Sequence, residues 1–174
     1  MERGEGEGVK ELLILRHAKS SWASPALDDI DRPLNKRGKR DAPLMGEQLR
    51  KRGFMPDYVM SSPARRARKT AKHIVVEIGF PSQKIVIADA VYLADETELR
   101  DIIRSIDNRY SHVMIVGHNP GFTALVNSLS DFILDNLPTC GMACVRFNIQ
   151  VWAEICEGRG SLVFFDYPKK IGLL

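Results

Sequence analysis

Three segments run from a short apolar stretch straight into cationic and histidine side chains: LILRHAKS (13–20), VMSSPARRARKT (59–70) and MIVGHNPG (114–121). Apolar strands that end in polar residues are where open α/β sheets bind ligands, at their carboxyl edges. If the three strands are parallel neighbours, Arg16, His17, Arg66 and His118 converge on one crevice although they lie far apart in sequence. Two arginines and two histidines suit a phosphoryl group in transfer, whose charge spreads over its equatorial oxygens and is stabilised by preorganised donors. Arginine serves this purpose well, because its planar fork meets two oxygens and stays protonated. A neutral imidazole can attack phosphorus and form a covalent phosphoenzyme that water then cleaves, which makes His17 and His118 the candidate nucleophiles.

Those residues need a frame. Glu11 to Leu15 reads as a strand buried on both faces, and the stretch from there to Pro33 has no helical or strand period and reads as a loop. A helix is expected from about Asn35 to Arg52, with Gly53 as its stop and Pro43 as an interior obstacle. Asp57 to Ser61 reads as a strand, Ser62 and Pro63 as the cap and first position of a helix, and Gly79 as that helix's end. Further on come KIVIA (84–88) as a strand, Glu96 to Ile106 as a helix and HVMIVG (112–117) as a strand. Asn119 and Pro120 then open another helix. ACVRFNI, VWAEI and SLVFF close the chain as three strand-like runs without a long helix between them, which suggests an antiparallel edge. The pattern predicts an α/β fold, a three-layer α/β/α sandwich on a mixed, mostly parallel sheet.

Length and composition set limits. With 174 residues, 44% hydrophobic and 27% charged, the chain is expected to form a single domain over 1–174, with 1–9 as a flexible leader. Such a domain buries roughly two-thirds of its unfolded surface. No apolar run is long enough to span a bilayer and the opening MERGEGEGVK lacks the features of a secretory signal, so a cytoplasmic protein without a membrane partner is expected. Cys140, Cys144 and Cys156 leave one thiol unpaired under any disulfide scheme and lack a zinc-site spacing; reduced core thiols and no metal are expected. Basic runs at 36–40, 50–52 and 65–69 fall inside amphipathic helices with no interleaved aromatic residues. They read as solvated faces and not as a nucleic-acid surface. No nucleotide fingerprint or Walker sequence occurs, so no organic cofactor is expected.

RHA (16–18), SSPARRARKTA (61–71) and VGHNPG (116–121), in that order, resemble the hallmark segments of the histidine phosphatase superfamily. DRPLNKRG (31–38) is similar to its short-chain branch, the SixA-type phosphohistidine phosphatases. The resemblance runs from about Glu11 to Phe165 and implies a phosphoglycerate mutase-like fold. It also implies metal-independent phosphatase action through a phosphohistidine intermediate, on protein phosphohistidine or a small phosphorylated metabolite. It assigns His17 as the nucleophile, Arg16 and Arg66 as phosphate-binding arginines, His118 as the second pocket histidine and Arg32 as an added substrate-binding arginine. Arg66 is chosen over Arg65 because the family arginine directly precedes an alanine, here Ala67.

The chain also departs from the larger relatives. Ala23 stands where they carry an asparagine, and no acid between Arg66 and His118 matches their glutamate general acid, although Asp89, Asp95, Glu96 and Glu98 lie in that interval. An alkoxide leaving group needs a proton in the transition state, whereas imidazole leaving from phosphohistidine can be protonated beforehand. The missing acid tilts the expected substrate towards phosphohistidine. Alternatives are a metabolite phosphomonoesterase or mutase using one of those four acids, and a non-enzymatic phosphate- or nucleic-acid-binding module. His73, His112 and the segment TCGMA (139–143) carry no site assignment, and Trp22 either lines the pocket mouth or packs its loop.

Overall fold

The computed structural model describes residues 8–172. The leader expected over 1–9 lies outside the described residues apart from Gly8 and Val9. Strands β1 (Lys10–Arg16), β2 (Tyr58–Ser61), β3 (Val86–Ile87), β4 (His112–Gly117), β5 (Met142–Phe147) and β6 (Ser161–Asp166) form one sheet in the order β3-β2-β4-β1-β5-β6. β1, β4, β2 and β3 are parallel; β5 runs antiparallel to both β1 and β6. The sheet is therefore mixed and mostly parallel, as the alternation of strands and helices predicts.

Strand β1 shows why the sheet is covered on both faces. Leu12 and Ile14 enter a cluster with Phe122, Leu125 and Val126 of helix α4 (Gly121–Leu129) and Leu99 and Ile103 of α3 (Glu96–Arg104). Leu13 and Leu15 enter the opposite cluster with Ala42, Met45 and Leu49 of α1 (Lys36–Lys51) and Ala67, Ala71 and Ile74 of α2 (Arg65–Ile78). The period of two along the strand sends alternate side chains into two helical layers, which is why the run is continuously apolar.

Several boundaries differ from the sequence reading. Helix α1 passes through Pro43 unbroken, started by Asn35, whose side chain accepts from Gly38 N at 2.9 Å. Helix α2 begins at Arg65 with Ala64 as its cap, two residues later than Ser62 and Pro63 suggested, because the Ser62 hydroxyl faces His118 instead. KIVIA contributes only Val86 and Ile87, an exposed edge strand, since Lys84 closes a 3-10 turn. VWAEI is not a strand: Trp152–Glu154 form a 3-10 turn. Trp152 and Ile155 are three residues apart, the spacing that such a turn brings to one side, and both are buried in the α3/α4 cluster. The Trp152 indole donates to Tyr110 O at 2.9 Å.

Register fixes the site. Arg16 lies opposite Gly117 and Ser61 opposite Val116, so the chain leaves β1, β2 and β4 at one level of the sheet.

Candidate active site

His17 follows the last residue of β1 and is pinned by main-chain bonds on both sides, from its N to Gly117 O at 3.0 Å and from Cys140 N to its O at 3.0 Å. Its Nδ1 lies 2.7 Å from Ala18 O. A carbonyl can only accept, so Nδ1 carries the proton and Nε2 keeps its lone pair. Burial first, and then the positive charges of Arg66 and Arg16, hold the imidazole pKa down at about 3, which keeps it neutral at physiological pH.

Arg66, in the first turn of α2, connects the other parts. Its Nε donates to His17 Nε2 at 3.3 Å and its Nη2 lies 3.4 Å from His118 Nδ1. Thr70, one turn on, accepts from Ala18 N at 2.9 Å and donates to Arg66 O at 2.7 Å, tying the His17 segment to the helix that carries the arginine. His118 follows β4; because a guanidinium only donates, His118 Nδ1 is the acceptor and Nε2 donates to Ser62 Oγ at 2.7 Å. Burial and the Arg66 charge hold the His118 pKa at about 4, so this ring is also neutral. The two imidazole centroids are 5.2 Å apart.

Arg16 donates through Nη1 to Leu137 O at 2.9 Å, while its buried Nε has no protein partner among the described residues. Its charge lowers the pKa of both histidines. Arg32 lies on the loop that covers the site, with Nη2 on Ser20 Oγ at 2.6 Å and Nε on Ser21 O at 3.1 Å. Trp22 stacks on it, its ring centroid 3.2 Å from the guanidinium carbon, which answers what that exposed indole does.

Two site residues, Asp29 and Tyr92, escaped the sequence reading. Asp29, in a 3-10 turn of the loop after His17, accepts from Tyr92 OH at 2.5 Å, Arg66 Nη2 at 2.9 Å and Arg32 Nη1 at 3.1 Å. Tyr92 first, then the two arginines, push its pKa far below the usual carboxylate range, so it is ionised. The i,i+3 spacing from Asp29 to Arg32 was the available signal, but several acids share that loop. Tyr92, which sets its ring edge against His118, carried no signal at all.

Three of the four acids considered as proton donors are engaged elsewhere. Asp95 and Glu98 form a reciprocal capping box at the start of α3, and Glu96 sits 3.5 Å from Arg100. Asp89 is exposed at the start of a 3-10 turn. His73 lies on α2 and His112 at the exposed start of β4, neither in this cluster. Cys140, Cys144 and Cys156 are free thiols.

A cluster that joins two neutral imidazoles to three arginines at strand ends has the chemistry of phosphoryl transfer, and comparison with known proteins agrees. Residues 12–89 match the model of the histidine phosphatase superfamily, branch 1. A Mycobacterium tuberculosis protein is 32% identical over 165 residues, covering 89% of this chain and 100% of its own length. The chain belongs to the histidine phosphatase superfamily. An uncharacterised chloroplastic protein of Arabidopsis thaliana is 31% identical over 153 residues, 83% of this chain and 70% of that one. Among solved structures, this histidine phosphatase is similar to SixA of Agrobacterium tumefaciens, at TM-score 0.76 and 28% identity, covering 91% of this chain and 98% of that one. A SixA structure holding tungstate shares the fold at TM-score 0.79 and 20% identity, over 92% of this chain and 99% of that one. These likenesses make the protein a SixA-type member with a phosphoglycerate mutase-like fold, and a phosphatase. Among the described residues no helix is long and apolar enough to cross a membrane.

Proposed function

We propose that this histidine phosphatase hydrolyses phosphohistidine on proteins through a phospho-His17 intermediate, without a metal or organic cofactor. The observation that carries the nucleophile is the Ala18 carbonyl on Nδ1 of His17, which leaves the Nε2 lone pair facing Arg66. Nε2 attacks phosphorus as the N–P bond of the substrate breaks, and the substrate imidazole leaves as a neutral ring with its other nitrogen already protonated. Arg16 and Arg66 meet the equatorial oxygens, His118 lines the pocket beside Arg66, and Arg32 extends the pocket towards the substrate. Water then attacks the phosphoryl group and Nε2 recovers its lone pair. One proton of that water stays on phosphate and the other goes to solvent.

The substrate class is supported by where the acids are. Asp29 is held ionised by three donors, and Asp95, Glu96 and Glu98 are engaged with α3, which leaves exposed Asp89 alone among the four candidate acids without a side-chain partner among the described residues and weakens the case for an acid that protonates an alkoxide. The likeness to SixA of Agrobacterium tumefaciens, a protein named for phosphohistidine phosphatase activity, points the same way. We place this activity on a single domain in a reducing compartment, the cytoplasm, to which the free thiols of Cys140 and Cys144, buried and held above the ordinary thiol range, are suited.

The test is steady-state hydrolysis of an aryl phosphate and of a phosphohistidine-bearing protein, with a chelator present, by the wild type and His17→Ala. The expected result is chelator-resistant turnover that vanishes with His17, with the higher kcat/KM on the phosphohistidine protein. Turnover retained by His17→Ala on both substrates defeats the covalent mechanism. A higher kcat/KM on alkyl phosphates of metabolites transfers the protein to the metabolite class.

A further inference from the structure

The basic runs KRGKR (36–40) and RRARK (65–69) come together where α1 packs along α2. Their cations fall into two groups. Arg37 and Arg40 are taken up by Asp41 at 3.5 Å and 2.7 Å. Lys39, Arg65, Lys69 and Lys72 are exposed and have no carboxylate within ion-pair distance among the described residues. The sequence offers none locally, since no acid occurs between Asp57 and Glu77.

These free cations line a concavity and not a convex helix face. A cleft of about 390 Å³ is bounded by Lys39, Arg65, Lys69 and His73 over a floor of Pro33 and Leu34. It shares Arg65 and Lys69 with an adjoining depression of about 430 Å³ that adds Arg68 and Lys72. The cleft and the phosphate pocket draw on the same two chain segments. Pro33 and Leu34 directly follow Arg32, and exposed Arg65 directly precedes buried Arg66, so the loop and the first turn of α2 wall both sites.

We propose that this cleft docks an acidic segment on the surface of the phosphorylated protein. The proposal rests on the phosphohistidine reading for the identity of that protein, but not for the docking itself. A phosphohistidine side chain reaching the pocket brings its carrier's surface against the rim, and the rim here is a row of unneutralised cations. Charge complementarity of this kind steers encounter and fixes orientation, and is strongest when several weak exposed pairs act together. Protein is favoured over single-stranded nucleic acid because, among the described residues, no Phe, Tyr or Trp lines the cleft and its one ring is the half-buried imidazole of His73, short of the row of stacking platforms such a strand needs. It is favoured over a lipid surface because the apolar floor is recessed, with Leu34 only 4% exposed.

The test uses the full chain and the double variant Lys39→Glu/Lys69→Glu, which touches no residue of the phosphate pocket. Binding of fluorescent decaglutamate and of an oligothymidylate of equal charge is followed by anisotropy, with saturating inorganic phosphate to fill the pocket. Turnover of an aryl phosphate and of the phosphohistidine protein is measured in parallel. Expected are salt-sensitive decaglutamate binding weakened about tenfold or more in the double variant, and KM for the phosphoprotein raised by a similar factor. Aryl phosphate turnover should stay unchanged. Equal decaglutamate binding by both proteins overturns the proposal, and so does tighter, variant-sensitive binding of the oligothymidylate. If the wild type binds decaglutamate through the cleft yet leaves phosphohistidine protein intact, acidic docking stands and the substrate reading falls.

Discussion

Arg66 holds Asp29 at two points, Nη2 on the carboxylate at 2.9 Å and Nη1 on the main-chain carbonyl at 2.6 Å, while its Nε edge faces His17. The guanidinium is thus clamped from behind by an anion and presents its inner edge to the crevice. Orientation of this kind is worth rate, since a misplacement of about 1 Å can cost about a hundredfold. Asp29→Asn keeps the shape and the main-chain contact but removes the charge. The expected outcome is kcat on aryl phosphate lowered about tenfold, while inhibition by inorganic phosphate is undiminished because a competing anion has gone. A variant with weaker phosphate binding and unchanged kcat contradicts the clamp.

Ser62 is the acceptor that sets the His118 tautomer, taking its Nε2–H at 2.7 Å while also accepting from Ala64 N at 3.2 Å. Ser62→Ala leaves a buried imidazole donor without a partner. Urea denaturation should show a loss of about 1–3 kcal/mol. Turnover should fall as well, because the ring no longer has a fixed proton position.

Both pocket histidines are held neutral, and this has a pH signature. With folded pKa values of about 3 for His17 and about 4 for His118, against 6.5 as the ordinary value, the folded state binds fewer protons than the unfolded state across that interval. Stability therefore rises with pH up to about 6.5 and is lost progressively on acidification towards those lower values. Asp29, depressed below its ordinary value of 3.8, adds a loss of the same sign at still lower pH. Imidazole nitrogen resonances of His17 and His118 should keep neutral-ring shifts from pH 8 to about 5. The rise of Tm between about pH 4 and 6.5 should be shallower in His17→Asn. Either resonance titrating near the ordinary value refutes the arrangement.

Gly38 is required by a close approach. A Cβ there meets Lys19 O at 2.2 Å, and that carbonyl also accepts from Asn35 N at 3.0 Å. Main-chain atoms on both sides leave nothing flexible to move aside. Gly38→Ala should cost about 1–3 kcal/mol in thermal or urea unfolding. It should also slow turnover, because displacing Lys19 moves the adjoining Ser20, whose hydroxyl Arg32 holds. Wild-type stability in this variant excludes the close approach.

The sequence by itself determined the layered α/β fold and the elements carrying Arg16, His17, Arg66 and His118. Strand patterning and strand-end chemistry are local properties written in consecutive residues, and a short run such as LLIL that ends at Arg16 suits a strand buried on both faces. The VWAEI run misled because Val151, Ala153 and Ile155 alternate as in a strand, whereas the residues that are buried, Trp152 and Ile155, have the spacing of three that a 3-10 turn brings to one side. Likewise Ser62 looks like a helix cap until His118 arrives from a strand more than fifty residues away. Tertiary structure alone decided that Asp29 and Tyr92 meet over Arg66, and that the free lysines of two helices share one cleft beside the pocket. Those relationships join side chains distant in sequence across packed surfaces. Their energies depend on burial, charge and donor geometry that exist only once the layers have closed.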